Sequence, residues 1–249
     1  MPVTHVYRIA DRNIEISSLY SMVHEMSSGF LIDAAPDFRV AVGQAEIDRE
    51  RAAAGRDVGV QLEYGYCIGG ALSDAYLETL AVYRGIADKM PEYDSILMHG
   101  SALALDGTGF LFTAPSGVGK STHARLWREL YGDRVQMIND DKPLLRILDD
   151  QVTVFGTPWN GKHRLGGNLS APLQAVCFLA RGRENAIRPV SSHEAYPLLL
   201  RQIYRPADAD ALMKTLKVAD RLLSSVRFYR LECNMEPAAA KLSSETMKG

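Results

Sequence analysis

Short runs of alternating apolar and polar residues fill the first third of the chain. "HVYRIA" and "NIEIS" flank the turn signal "DRN", and "DFRVAV" follows Pro36. Each predicts a strand half-buried on one face. "GQAEIDRERAAAG" predicts a short exposed helix ending at Gly55, and "VGVQLEYGYCI" alternates like a strand. Tyr76, Leu80, Tyr83, Ala87 and Met90 then recur at spacings of four and three, the stripe of an amphipathic helix that Pro91 closes.

From Ser95 the pattern changes. "SILMHGSALAL" predicts a strongly apolar strand and "GFLFTA" another, joined by "DGTG", whose Asp106-Gly107 pair suits the positive φ angles of a tight hairpin. A helix, "STHARLWRELYG", closes at Gly132, and the strand "VQMIN" runs into "DDKP". "PLLRIL", "DD" and "QVTVFG" predict a second hairpin. "LQAVCFLAR" and "AIRPV" follow as strands, then helices over roughly 191–204 and 207–224, a strand "VRFYRLEC" and a helix "EPAAAKLSSETM". A hairpin ahead of the first helix and another after the acidic pair predict an α/β fold whose sheet is mixed and largely antiparallel. The change of texture divides the chain into a small N-terminal α/β domain, residues 1–92, and a larger one, residues 93–249.

Composition narrows the classes. The chain has 249 residues, 47% hydrophobic and 23% charged, with a net charge of −2. This is ordinary for a globular protein and gives no global reason to expect nucleic acid or an anionic membrane as partner. No apolar run approaches the roughly 18 residues of a membrane span, and the first residues lack the form of a signal peptide. Cys67, Cys177 and Cys233 are scattered without metal-ligand spacing, which suggests reduced thiols and a cytoplasmic setting.

The chemistry concentrates at "APSGVGKS", residues 114–121, which fits the Walker A pattern with alanine first. Gly117 and Gly119 allow a tight turn whose amide N–H groups point at phosphate oxygens, and the helix that follows adds the positive end of its dipole. Ser116, Gly117, Val118 and Gly119 are therefore expected to cradle phosphates. Lys120 is expected to reach the β- and γ-phosphates, Ser121 to coordinate Mg2+, and Thr122 to add a further phosphate contact. A strand ending in Asp140 and Asp141 is how such a protein places carboxylates beside its magnesium ion. "GTPWNGKHR" reads equally as a turn plugged by Trp159 or as an acceptor-side segment with Asn160, Lys162 and Arg164 facing transferred charge. His123 is expected to be structural, His163 and His193 carry no metal spacing, and "SSHE" reads as a helix cap from Ser191 and Glu194.

"MHGSALALDGTGFLFTAPSGVGKSTHARLW" followed by "INDD" resembles the catalytic domain of HPr kinase/phosphorylase, related in fold to phosphoenolpyruvate carboxykinase. The resemblance covers about residues 95–181. "GTPWNGK" and the later helices look closer to an HPr-kinase-like branch among peptide-modifying enzymes, including lasso peptide kinases. It implies Asp140 as general base on a serine-type hydroxyl, Asp141 as magnesium ligand, and His99 interacting with the catalytic acid. Thr122 stands where that family has glutamate, and its Glu-Ile-Arg-Gly-type motif is absent, which sets phosphorolysis and recognition of HPr in doubt. The implied activity is a Mg-ATP-dependent (or GTP-dependent) kinase acting on a peptide or protein hydroxyl; the separate texture of residues 1–92, which do not match the family's N-terminal domain, suggests acceptor docking for them. A nucleotide-binding sensor with little catalysis and a small-molecule kinase stand as alternatives, and homo-oligomerisation is left open.

Overall fold

A computed structural model describes residues 2–54, 67–68, 71–161 and 163–249. The chain divides into two compact units, Met1–Lys89 and Met90–Gly249.

The first unit holds β1 (Val3–Ile9), β2 (Arg12–Ser18), α1 (Met22–Met26), β3 (Leu31–Ile32), β4 (Phe38–Ala41), α2 (Gln44–Ala54), the short pair β5 (Cys67–Ile68) and β6 (Ala71–Leu72), and α3 (Asp74–Lys89). Its four-stranded sheet runs β3-β1-β2-β4, with β4 parallel to β2. The β1–β2 turn is the two residues Ala10 and Asp11, at φ 49° and 57°, because the pairing carries through to Ile9–Arg12. The expected turn "DRN" is thus displaced by one residue. Alternation buries Tyr7, Ile9, Ile14 and Ile16. α3 buries Leu77, Ala81, Val82, Ile86 and Ala87; of the expected stripe Ala87 and Met90 are buried, while Tyr76, Leu80 and Tyr83 are half-buried. Glu78, also buried, accepts the backbone N–H groups of Leu19 (2.5 Å) and Tyr20 (3.0 Å). Most of the expected strand "VGVQLEYGYCI" lies outside the described residues, as does Gly55.

The second unit holds β7 (Ser95–Leu97), β8 (Ser101–Leu105), β9 (Thr108–Thr113), α4 (Lys120–Tyr131), β10 (Val135–Asn139), β11 (Leu144–Leu148), β12 (Gln151–Phe155), β13 (Ser170–Arg181), β14 (Ala186–Pro189), α5 (Ser192–Leu200), α6 (Ala209–Ser225), β15 (Arg227–Cys233) and α7 (Pro237–Lys248). The strand order is β10-β8-β9-β13-β12-β11-β7, with β15 added between β13 and β14. Among these pairings β13 is parallel to β9 and β15, and the others are antiparallel. The fold is mixed α/β with a largely antiparallel sheet, as the two hairpins predict. Both hairpin turns are two-residue and left-handed: Asp106-Gly107 at φ 51° and 80°, Asp149-Asp150 at 47° and 60°.

"SILMHGSALAL" is two strands, not one. β7 pairs with β11, whereas β8 pairs with β9 and β10, so the chain changes neighbours across Met98–Gly100. Gly100 permits this: a Cβ there would lie 2.8 Å from the Leu111 side chain and 2.9 Å from the Phe112 carbonyl. The long strand β13 also serves two neighbourhoods, meeting β12 through Ser170–Pro172 and running between β9 and β15 beyond that.

Two apolar layers flank the sheet. Along β8, Ala102 and Ala104 join the layer against α5 and α6, while Leu103 and Leu105 join the layer holding α4 and α7. In the second layer Ser243 of α7 accepts from Trp127 Nε1 (2.9 Å) and pairs with His123 Nε2 (3.0 Å), tying α7 to the helix behind the loop. Burial pushes the His123 imidazole down to about 4 and so keeps it neutral, the structural role expected for it. Ser191 caps α5 by accepting the Glu194 N–H.

Candidate active site

Strand direction assembles the site. β8 is antiparallel to both β9 and β10, so the end of β9, the start of β8 and the end of β10 meet at one edge of the sheet. The 114–121 loop follows β9, His99 to Ser101 precede and open β8, and Asp140 and Asp141 follow β10.

In the loop, Gly117 and Gly119 have φ of 75° and 124°, and nothing lies within 4 Å of where a Cβ would stand at either. The glycines serve the backbone turn, and the space over them is left for a ligand. α4 begins at Lys120 with Gly119 as its N-cap. Lys120 is buried, and its ammonium donates to the Ala114 (3.0 Å) and Pro115 (3.4 Å) carbonyls of the loop. Ser116, Gly117 and Ser121 are exposed, and Val118 and Thr122 half-buried. Outside the loop lies an open cleft of about 520 Å³ lined by Pro115, Ser116, Val118, Leu179, Ala180 and Arg181. Arg181, at the end of β13, donates to the Gly117 carbonyl (2.6 Å).

The two carboxylates diverge. Asp140 is 7% exposed and accepts Ser101 Oγ–H at 2.6 Å, with the Ser121 hydroxyl on the same side and favouring its charged form. Burial raises its carboxyl above the usual range, the two serine hydroxyls pull it back, and Asp141 and His163 act as further charges. Asp141 turns the other way: its Oδ1 lies 3.1 Å from Lys142 Nζ and 3.5 Å from His99 Nε2. Burial, with Lys142 and Lys120 adding positive potential, pushes the His99 imidazole down to about 4, so it is neutral at pH 7. Gln202 holds His99 from the far side, accepting its backbone N–H (2.7 Å).

Asn139 makes that divergence. It is buried, and its Oδ1 accepts the backbone N–H groups of Asp141 (2.8 Å) and Lys142 (2.7 Å). Its Nδ2 donates to the Thr157 carbonyl and hydroxyl (3.2 and 3.1 Å). Thr157 Oγ1 in turn donates to the Lys142 carbonyl (2.8 Å). The "GTPWNGK" segment is thereby closed onto the acid-bearing turn.

Within that segment, Trp159 and Asn160 are buried, with Asn160 Nδ2 donating to the Thr157 carbonyl (2.9 Å). Arg164 is exposed on a left-handed backbone, and Lys162 lies outside the described residues. The arrangement brings His99, Lys120, Ser121, Asp140 and Asp141 together, and adds Ser101, Asn139, Lys142 and Gln202, which sequence reasoning passed over. A serine and an asparagine at strand ends carry no motif, and Gln202 is remote in the chain. Only Ser101 left a trace, as the polar residue on a face that continues with Leu103 and Leu105.

No protein-family model and no curated protein matches the chain. Among solved structures it is similar to the Hpr(Ser) kinase/phosphatase from Coxiella burnetii, at 11% sequence identity and a TM-score of 0.34, over 61% of this chain and 99% of that one. At that level the likeness says nothing of chemistry. Among the described residues no helix is long and apolar enough to cross a membrane.

Proposed function

We propose that the second unit is a phosphotransferase that moves the γ-phosphoryl group of ATP, with Mg2+, to a hydroxyl of a peptide or protein acceptor. The observation that carries this is the meeting of the phosphate-type loop and two oppositely directed carboxylates at one sheet edge. The open space over Gly117 and Gly119 suits phosphate oxygens, and the 520 Å³ cleft beyond suits the nucleoside.

The residues also suit magnesium. Ser121 and Asp140 are a hydroxyl and a carboxylate, the hard oxygen donors that Mg2+ prefers alongside substrate phosphates. Among the described residues no group of three or more His, Cys, Asp or Glu side chains is set for a metal, which fits an ion completed by phosphate oxygens. When bound, the ion would neutralise charge on the phosphates.

The loop amides and Lys120 hold and neutralise the triphosphate. Asp141 faces away from the metal-side pair and takes the proton from the acceptor hydroxyl as its oxygen attacks the γ-phosphorus; the bond to the β-phosphate oxygen breaks and ADP leaves. Neutral His99 and Lys142 orient Asp141. This exchanges the two aspartate roles that the family resemblance suggested, because Ser121 acts on the charge of Asp140 while Asp141 lies against His99 and Lys142. Residues 1–92 are assigned to acceptor docking in this reading, and a cytoplasmic location suits it.

The test uses purified protein, magnesium and γ-labelled ATP with an extract from the source cells. Asp141→Asn should abolish label transfer, by about 10²–10⁴-fold, while leaving Mg-ATP binding nearly intact; Asp140→Asn should weaken Mg-ATP binding itself. Label released only as free phosphate, or retained on tightly bound ATP, would refute phosphoryl transfer to an acceptor.

A further inference from the structure

On β8 the alternation places Ser101 in line with Leu103 and Leu105, which pack in the layer behind α4. A hydroxyl in that row is the exception, and a buried polar group is more informative than a buried leucine. Ser101 is fully buried, and β8–β10 pairing, with Ala102 opposite Asn139, delivers it beside Asp140. Its Oγ donates to Asp140 Oδ1 at 2.6 Å, the short length of a hydroxyl bound to a carboxylate. Asp140 thus has the Ser101 hydroxyl of β8 fixed on one oxygen, while the loop's Ser121 also favours its charged form.

We infer that Ser101 is a positioning residue: by occupying one oxygen of Asp140 it fixes the rotation of that carboxylate and directs it at the Ser121 side, where the metal of the nucleotide complex would sit. The inference rests on the phosphotransferase reading above. A carboxylate on a single bond to its Cα-bearing carbon has a broad torsional well, and packing at the end of a strand does not restrict it as a hydrogen bond does. Outer partners of metal ligands act in this way, and their loss costs about 10- to 100-fold in metal affinity. Ser101 is fully buried behind Asp140, so its loss should act on the metal and spare contacts made by the loop.

The experiment uses the full chain and follows free Mn2+ by its electron paramagnetic resonance signal in the presence of ADP. ADP affinity without metal is measured separately by calorimetry in EDTA. Ser101→Ala should raise the Mn2+ dissociation constant at least about tenfold, with metal-free ADP affinity unchanged. Ser101→Thr, which restores the hydroxyl on a β-branched side chain suited to a strand, should recover most of the loss. Unaltered Mn2+ affinity in Ser101→Ala overturns the inference, as does an equal loss of metal-free ADP binding, the mark of a general loosening. Failure of the phosphotransferase reading would show differently, as no ADP-dependent Mn2+ binding in the unsubstituted protein, and would take this inference with it.

Discussion

Replacing Gly156 by alanine should be among the most damaging small substitutions in the second unit. The reason is a close approach of backbones. A Cβ at 156 would stand 1.9 Å from the Gly167 carbonyl oxygen and 2.6 Å from that of Ile138, where ordinary contacts begin at 3.4 Å. Neither obstacle is a flexible side chain. The Gly167 carbonyl accepts Leu169 N–H (2.9 Å), and the Ile138 carbonyl accepts Gly167 N–H (3.3 Å). Relief therefore needs separation by more than an ångström of two segments that hydrogen bonds hold together. Overpacking against movable side chains costs about 1–3 kcal/mol, and a clash with bonded backbone belongs in the tail above that, about 3–5 kcal/mol. For a unit of this size that lowers the melting temperature by on the order of 10 °C. Gly167 is the control: nothing lies within 4 Å of a Cβ there, so Gly167→Ala should cost no more than about 1 kcal/mol. Urea melts followed by Trp127 and Trp159 fluorescence would report both. Because the strained contact includes Ile138, just before the acid-bearing turn, Gly156→Ala should also lower phosphoryl transfer under conditions where it remains folded. Equal stability of the two variants would refute the reasoning.

Two further outcomes follow from buried polar groups. Asn139→Ala removes an acceptor of two backbone N–H groups and a donor to Thr157; it should cost about 2–3 kcal/mol in a denaturant melt and depress transfer more than nucleotide binding. In the first unit, burial pushes the Tyr7 hydroxyl up from 10 to about 12. The folded form thus binds that proton more tightly than the unfolded chain, so its stability is intact below pH 10 and is lost as pH rises from 10 through about 12. Tyrosinate absorbance should show a late-titrating phenol that vanishes in Tyr7→Phe, and ionisation of Tyr7 near pH 10 would contradict the burial.

Local chemistry made much of this legible from sequence. Asp106-Gly107 specified its hairpin through positive φ, "APSGVGKS" its loop through glycine and lysine, and "VQMIN" a strand delivering two acids. What escaped depends on contacts distant in sequence. The break at Met98–Gly100 arises because β7 and β8 find different partners, which no run of apolar residues reveals. The first turns of α3 bury Leu77, Ala81 and Val82 where the stripe had Tyr76, Leu80 and Tyr83, because tyrosine counts as apolar in a pattern yet is amphipathic. The divergence of Asp140 and Asp141 depends on Ser101 and Asn139 being in place, contacts that the pair's own sequence does not reveal.

The grouping of β8, β9, α4 and β10 has a consequence for how the protein acquires its shape. Every side chain from His99 to Asp141 in the site belongs to one uninterrupted stretch, whose strands are joined by a two-residue turn and one helix. Closing such short loops loses little chain entropy, whereas β13 must return from beyond residue 170 to pair in parallel with β9. The nucleotide-side half of the site can thus organise early, on a hairpin and a helix, and await the central strand. Pulsed hydrogen exchange during refolding should protect amides of β8–β10 before those of β13 and β15, so that a chain still incomplete in its sheet already carries the outline of its loop.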